Sequence, residues 1–282
     1  GDYISTLESL YRGQMRKRFL LGEWAAFEGL VYPEYEVTNH GMSRDQIEAH
    51  LIDCIVRHVK IKIIEAYDFG QSSPTCYMLA FVDDWGRVII MDGFYEPNYL
   101  YTKHAPRIEA IRTHWTDLLG SGNYMFTGVL DFKDPINADP SVFKHKVIDK
   151  HKETGHTLSD LLAGEGLKLR PANNDIVSGI AKVSGYLGEF KNVPHLVLPK
   201  ESGPLLYYNN ELTWYDEEIT NYYWKRDPQG RIFDEPQEHN DHAMDTNKYL
   251  LSYVPPPSEI KPPAEEVPPP WMFWHEVEDR AA

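Results

Sequence analysis

Three aspartates in different settings are the side chains whose type and placement could do chemistry. Asp68 closes the apolar run IKIIEAYD just ahead of Phe69-Gly70, where a glycine could leave space for a ligand. Asp139 stands in INADPSVF, and Asp245 in EHNDHAMDTNKYLL, where Asp241 is four residues and His242 three residues before it. Residues so spaced share one helix face. Carboxylates that converge hold hard divalent cations such as magnesium or manganese. A pair of ions about 3.5 to 4 Å apart activates water on one side of a phosphodiester and stabilises the leaving oxygen on the other. Each residue also has an ordinary structural use: Asp68 as a strand-end acid facing water, Asp139 and Asp241 as helix N-caps, His242 as a surface histidine. Asp131 and Asp134, in LDFKDP, read as turn formers.

Other chemistries lack their motifs. The chain has no G-x-x-x-x-G-K-[ST] phosphate loop, so no ATPase activity is expected of it, and no G-x-S-x-G elbow. With no H-E-x-x-H or C-x-x-C pair, zinc is not expected. Its two cysteines, Cys54 and Cys76, lie inside apolar runs and read as small buried hydrophobes. The formal net charge of −15 argues against holding nucleic acid over the whole surface. Basic residues do cluster at Lys144, Lys146, Lys150 and Lys152, and again at Lys225, Arg226 and Arg231, strips that could touch phosphates or simply be solvated. No apolar run is long enough to span a membrane, and a soluble protein of a reducing cytoplasm is expected. The chain opens at Gly1 rather than Met, and its natural N-terminus is expected further upstream.

The elements that must position these residues follow from the hydrophobic period. Residues 1–24 and 44–59 carry helical spacing. IKIIEAYDFG, PTCYMLAFVDD and RVIIMDGFYE, joined by short turns, predict three antiparallel strands. A helix over 105–119, a strand at YMFTGVLDF and a helix begun by Pro140 in NADPSVFKHKVIDKHKE come next. There follow a strand near LKLRP, a helix NNDIVSGIAKVSGYL capped by Asn173 or Asn174, and a closing helix over 241–253. This is the ribonuclease H order: an α/β fold in which three antiparallel strands precede parallel ones in a mixed sheet flanked by helices. From Pro255 the chain turns proline-rich and reads as a linker or partner-binding tail ending in WMFWHEVE.

Several of these phrases resemble the large terminase subunits of tailed bacteriophages. RKRFLLGEWAAFEGLVYPEY resembles the segment that joins the terminase motor to its nuclease, and YDFG at 67–70 and NADPS at 137–141 resemble the first and second acid motifs. DHAMDTNKYLL at 241–251 is similar to the terminal D-H-x-x-D-A-x-R-Y-A helix, with Thr246 and Lys248 where Ala and Arg are usual. The likeness spans roughly residues 10–253 and leaves the stretch 37–61 as an insertion without an assigned role. It implies a linker from a motor domain over 1–43, a nuclease domain over 44–254 and a tail over 255–282. It further implies an endonuclease cutting concatemeric double-stranded viral DNA during genome packaging, with two Mg2+ or Mn2+ ions on Asp68, Asp139 and Asp245, and His242 and Asp241 beside them. Portal protein and terminase small subunit would be partners of the full-length enzyme, host cytoplasm its location and a monomer the state of the isolated domain. The alternatives are a Holliday-junction resolvase or integrase-like nuclease of the same fold, and a non-catalytic module docking on portal or procapsid.

Overall fold

Strand alternation decides which side of the sheet each acid faces, because successive side chains point to opposite faces. A computed structural model of the chain describes residues 29–70, 73–98, 100–120, 129–144, 146–149 and 152–260. The elements run α1 (Val37–His40), β1 (Gly41–Met42), α2 (Arg44–Val56), β2 (Lys62–Asp68), β3 (Thr75–Val82), β4 (Val88–Glu96) and α3 (His104–Gly120). After these come β5 (Ile136–Ala138), β6 (Lys146–Asp149), β7 (Lys152–Thr157), α4 (Leu158–Gly164), β8 (Leu169–Pro171) and α5 (Ile176–Leu187). The chain continues with β9 (Phe190–Lys191), β10 (Ser202–Gly203), β11 (Leu206–Asn209), α6 (Thr213–Thr220), β12 (Trp224–Arg226), β13 (Ile232–Pro236) and α7 (His242–Leu251).

Seven strands form the main sheet in the order β1-β11-β4-β3-β2-β5-β8. The β2-β3 and β3-β4 pairs are antiparallel, and β5 and β8 add in parallel beyond β2, which is the ribonuclease H-like arrangement expected. On the far side β11 and β1 extend the sheet in parallel from β4. Even-numbered residues of β2 and β3 (Ile64, Ala66, Cys76, Met78, Ala80) pack under α5, α6 and α7 with Tyr186, Tyr215 and Tyr249. Odd-numbered ones (Ile63, Tyr67, Tyr77, Leu79, Phe81) pack under α2 and α3 with Leu51, Ile108 and Trp115. Both layers are apolar, so the strands read as near-continuous hydrophobic runs. Cys54 and Cys76 are buried free thiols.

The stretch 37–61 has a packing role. Ser43 opens α2 through a capping box with Gln46, and Ile47, Leu51 and Cys54 are buried from it. Three expectations are corrected. Among the described residues the strand after α3 is Ile136–Ala138; 129–132 of YMFTGVLDF is not strand, and 124–128 lies outside the described residues. Pro140 opens only a short 3-10 helix, Pro140–Phe143, after which the β-branched KVID pairs with β7 as a hairpin instead of continuing a helix. Asp175, not Asn173 or Asn174, caps α5, its side chain accepting from Ser178 N–H. The helix expected over 1–24, most of RKRFLLGEWAAFEGLVYPEY, and WMFWHEVE lie outside the described residues.

Candidate functional site

Asp68, as an even-numbered residue of β2, falls on the face covered by α7. The parallel strand β5 lies beside β2 with Ala66 opposite Asn137 and Tyr67 opposite Ala138. Asp68 and Asp139 are therefore next in register at the carboxyl ends of neighbouring parallel strands, and the Asp139 N–H donates to Tyr67 O at 3.3 Å. Ligand sites of open α/β sheets gather at such strand ends. From above, α7 brings down His242, whose Nδ1 lies 2.8 Å from Asp68 Oδ2. Tyr249, two turns on, donates its hydroxyl to Asp139 Oδ2 at 2.8 Å and to Asn174 Oδ1 at 3.2 Å. One helix thus ties down both strand-end carboxylates.

The remaining acids sit on that helix. Asp245 lies between His242 and Tyr249 and accepts an ion pair from Lys248 Nζ at 2.6 Å. Asp241 occupies the N-cap position of α7 without a side-chain capping bond. The caps of α7 come from elsewhere: Glu218 of α6, buried, accepts the Met244 N–H at 2.7 Å. Asp139 does cap, accepting Ser141 N–H at the start of its 3-10 turn, while its second oxygen faces Tyr249. The glycine after Asp68 opens no room for a ligand. A Cβ on Gly70 would stand 2.3 Å from Ser73 O and 2.4 Å from Pro74 O, so its space is filled by the returning backbone.

Charge at the site is under tension. Burial pushes the Asp68 carboxyl up to about 6; the His242 hydrogen bond opposes this, and the charges of Asp245 and Asp139 add to it. His242 is raised by its hydrogen bond to Asp68, against burial. Asp241 is raised by burial and then by Asp245. Glu218 is pushed up to about 8 by burial, against the Met244 and Tyr95 hydrogen bonds. Tyr249 is raised by burial and by the negative charges of Asp245, Asp139 and Asp68. The aspartates thus feel one another, and oxygen donors with one imidazole suit a hard divalent cation, which would relieve their repulsion. Among the described residues no three His, Cys, Asp or Glu side chains already stand at the spacing that holds one ion.

A cavity of about 440 Å³ is lined by Pro74, Tyr95, Trp214, Glu218 and Asn240, and the ring centre of Tyr95 is 6.4 Å from that of His242. Lys144 ends the 3-10 turn that follows Asp139, and Lys146 opens β6; both are exposed. Lys152 begins β7, and Lys150 lies outside the described residues. The other basic cluster is held by acids: Lys225 pairs with Glu235 and Glu238, and Arg231 with Asp227. Asp131 forms a turn with Lys133 as expected, and Asp134 pairs with Lys62 at 3.9 Å. Tyr249 and Glu218 were not singled out in the sequence, and Lys248, noted there only as standing where Arg is usual, pairs with an acid of the site. Lys248 and Tyr249 lie three and four residues after Asp245 along one helix face and so carried a signal; Glu218, in TWYDEEIT, carried none.

Strand-end carboxylates under a helix, on a ribonuclease H-like mixed sheet, define the class to which this fold belongs. The same fold is found in the large terminase of a thermophilic bacteriophage. A structure of that protein in complex with ADP superposes with a TM-score of 0.53 at 19% identity, over 89% of this chain and 51% of that one. The chain thus spans about half the length of the solved large terminase it matches. The P22 large terminase nuclease domain is similar at 15% identity and a TM-score of 0.48, over 80% of this chain and 92% of that one. The large terminase nuclease domain of bacteriophage SPP1 with bound Mn gives 14% and 0.43, over 67% and 85%. No family model and no curated protein matches the chain. Among the described residues no helix is long and apolar enough to cross a membrane.

Proposed function

We propose that this chain is a metal-dependent endonuclease that hydrolyses phosphodiesters of double-stranded DNA, the nuclease part of a packaging terminase large subunit. The observation that carries the reading is the meeting of Asp68 and Asp139, from adjacent strand ends, beneath the helix that bears His242 and Asp245. The fold shared with the large terminase of the thermophilic phage supports it.

Asp68, Asp139 and Asp245 would hold two Mg2+ or Mn2+ ions, with His242 and Asp241 at their margin. When bound, such ions supply an activated water and neutralise charge on the phosphodiester. The chain's own residues do the positioning. His242 holds Asp68 through Oδ2, and Asp139 is held at both oxygens, by Tyr249 at Oδ2 and by the Ser141 N–H at Oδ1, whose remaining lone pairs would serve a metal. The imidazole is also the group beside Asp68 able to hold or pass a proton. Backbone contacts to DNA would come from the lysines after Asp139, with little sequence preference, since phosphates carry no base information. Portal protein and a small terminase subunit are the proposed partners of a longer chain.

The test is plasmid cleavage in manganese by the wild type and by Asp68→Ala, with circular dichroism to verify the fold. Loss of cleavage in a folded variant is the expected result; cleavage at the wild-type rate would refute the assignment.

A further inference from the structure

Lys248 is an unusual residue to find under this helix. It is one of the few buried cations among the described residues, with a side chain 6% exposed, and its Nζ lies 2.6 Å from Asp245 Oδ1. Its stem runs along α5 where Gly179 has no side chain: a Cβ there would stand 3.0 Å from Lys248 Cδ and 3.2 Å from Cγ. The glycine thus makes the channel through which the lysine reaches Asp245. Lys248 and Gly179 together border a cavity of about 230 Å³, lined also by Ser178, Lys182, Gly185 and Ser252. The nearby Lys182 is occupied, donating to Val254 O. A half-buried carboxylate that raises its neighbours' pKa values is favoured by a nearby cation, and a buried ammonium needs a paired anion; here Asp245 and Lys248 meet both needs.

We infer that Lys248 is a built-in counter-ion of Asp245 that competes with a divalent cation for that carboxylate, and so sets how tightly the site takes up metal. This rests on the metal reading above. With no metal present the ammonium compensates Asp245. When a divalent cation arrives, that compensation is redundant, and the cavity gives the ammonium room to withdraw. Lys248 is therefore a positioning residue whose charge weakens metal uptake while it stabilises the metal-free fold.

The experiment is calorimetric titration of Mn2+ into the wild type, Lys248→Met and Lys248→Arg, with thermal unfolding of each in EDTA. Lys248→Met is expected to bind Mn2+ roughly tenfold more tightly, the order that one unit charge exerts on a nearby divalent ion even under near-aqueous screening. It should also melt lower than the wild type in EDTA and recover more on adding Mn2+. Lys248→Arg, which keeps the charge, should bind as the wild type does. A lysine that served only to hold Asp245 in place would give the opposite sign, weaker binding in Lys248→Met, and that result or unchanged affinity overturns the inference while leaving the metal reading intact. Absence of Mn2+ binding by the wild type overturns both. Should Lys248→Met fail to fold, Lys248→Gln, neutral but still a donor to Asp245, is held to the same expectation.

Discussion

Replacing Asp68 by Asn should make the metal-free protein more stable at pH 8, although it removes a residue central to the proposed chemistry. The carboxyl is 7% exposed and is displaced from 3.8 to about 6. Its folded form holds a proton more tightly than its unfolded form, so stability is highest below 3.8, falls as pH rises to about 6, and stays reduced above that. The displacement corresponds to roughly 3 kcal/mol at pH 8. Asn keeps the shape and still offers an oxygen to His242, but part of the gain is offset by loss of the charge that His242 meets at 2.8 Å. A net stabilisation of about 1 to 3 kcal/mol remains, or a few degrees and upward in melting temperature for a domain of this size. Urea unfolding in EDTA at pH 8 and at pH 5 measures it. The gain should shrink at pH 5, where the wild-type carboxyl is largely protonated. An Asp68→Asn protein no more stable than the wild type at pH 8 would refute the claim that ionised Asp68 is held under tension.

Tyr249→Phe removes the hydroxyl that donates to Asp139 and Asn174; a loss of about 1 kcal/mol in urea unfolding is expected, together with weaker Mn2+ binding by calorimetry. Glu218, raised from 4.5 to about 8, should make the wild type lose stability as pH rises from 4.5 to about 8 and level off above that, a slope that Glu218→Gln flattens in thermal unfolding scans. Gly70→Ala should destabilise by more than about 2 kcal/mol, since its Cβ meets fixed backbone oxygens, and a melting temperature equal to the wild type would contradict the packing of the turn.

The central strands and α7 were legible because each is long and its pattern unmixed: Lys62–Asp68, Thr75–Val82 and Val88–Glu96 are rich in apolar, β-branched and aromatic residues, and Asp241 to Tyr253 keeps a helical period. The three-residue strand Ile136–Ala138 was not, because so short a run has no measurable period, whereas YMFTGVLDF looks like a strand and draws the assignment upstream. Lysines and a proline made KHKVIDKHKE look helical, yet Val147 and Ile148 fall within a strand of the hairpin. The short strands β1 and β11, added beyond β4, depend on pairing that only the tertiary structure supplies. Spacing also pointed to the acids and to His242, whose contact with Asp68 spans 174 positions. Glu218 escaped because its task, capping a helix to which it does not belong, is a relation between elements and leaves no local trace.

The order of the chain gives the arrangement a temporal meaning. Asp68 and Asp139 are laid down early, but His242, Asp245 and Tyr249 arrive with the last helix described. A nascent polypeptide that has not yet extended past Leu251 can pair β2 with β5 and still lacks the lid of side chains that ties the two strand-end acids together. Under the proposed nuclease reading, competence to cut would wait until residues 242–251 had been made, a useful delay if premature activity would fall on the nucleic acid around the nascent chain.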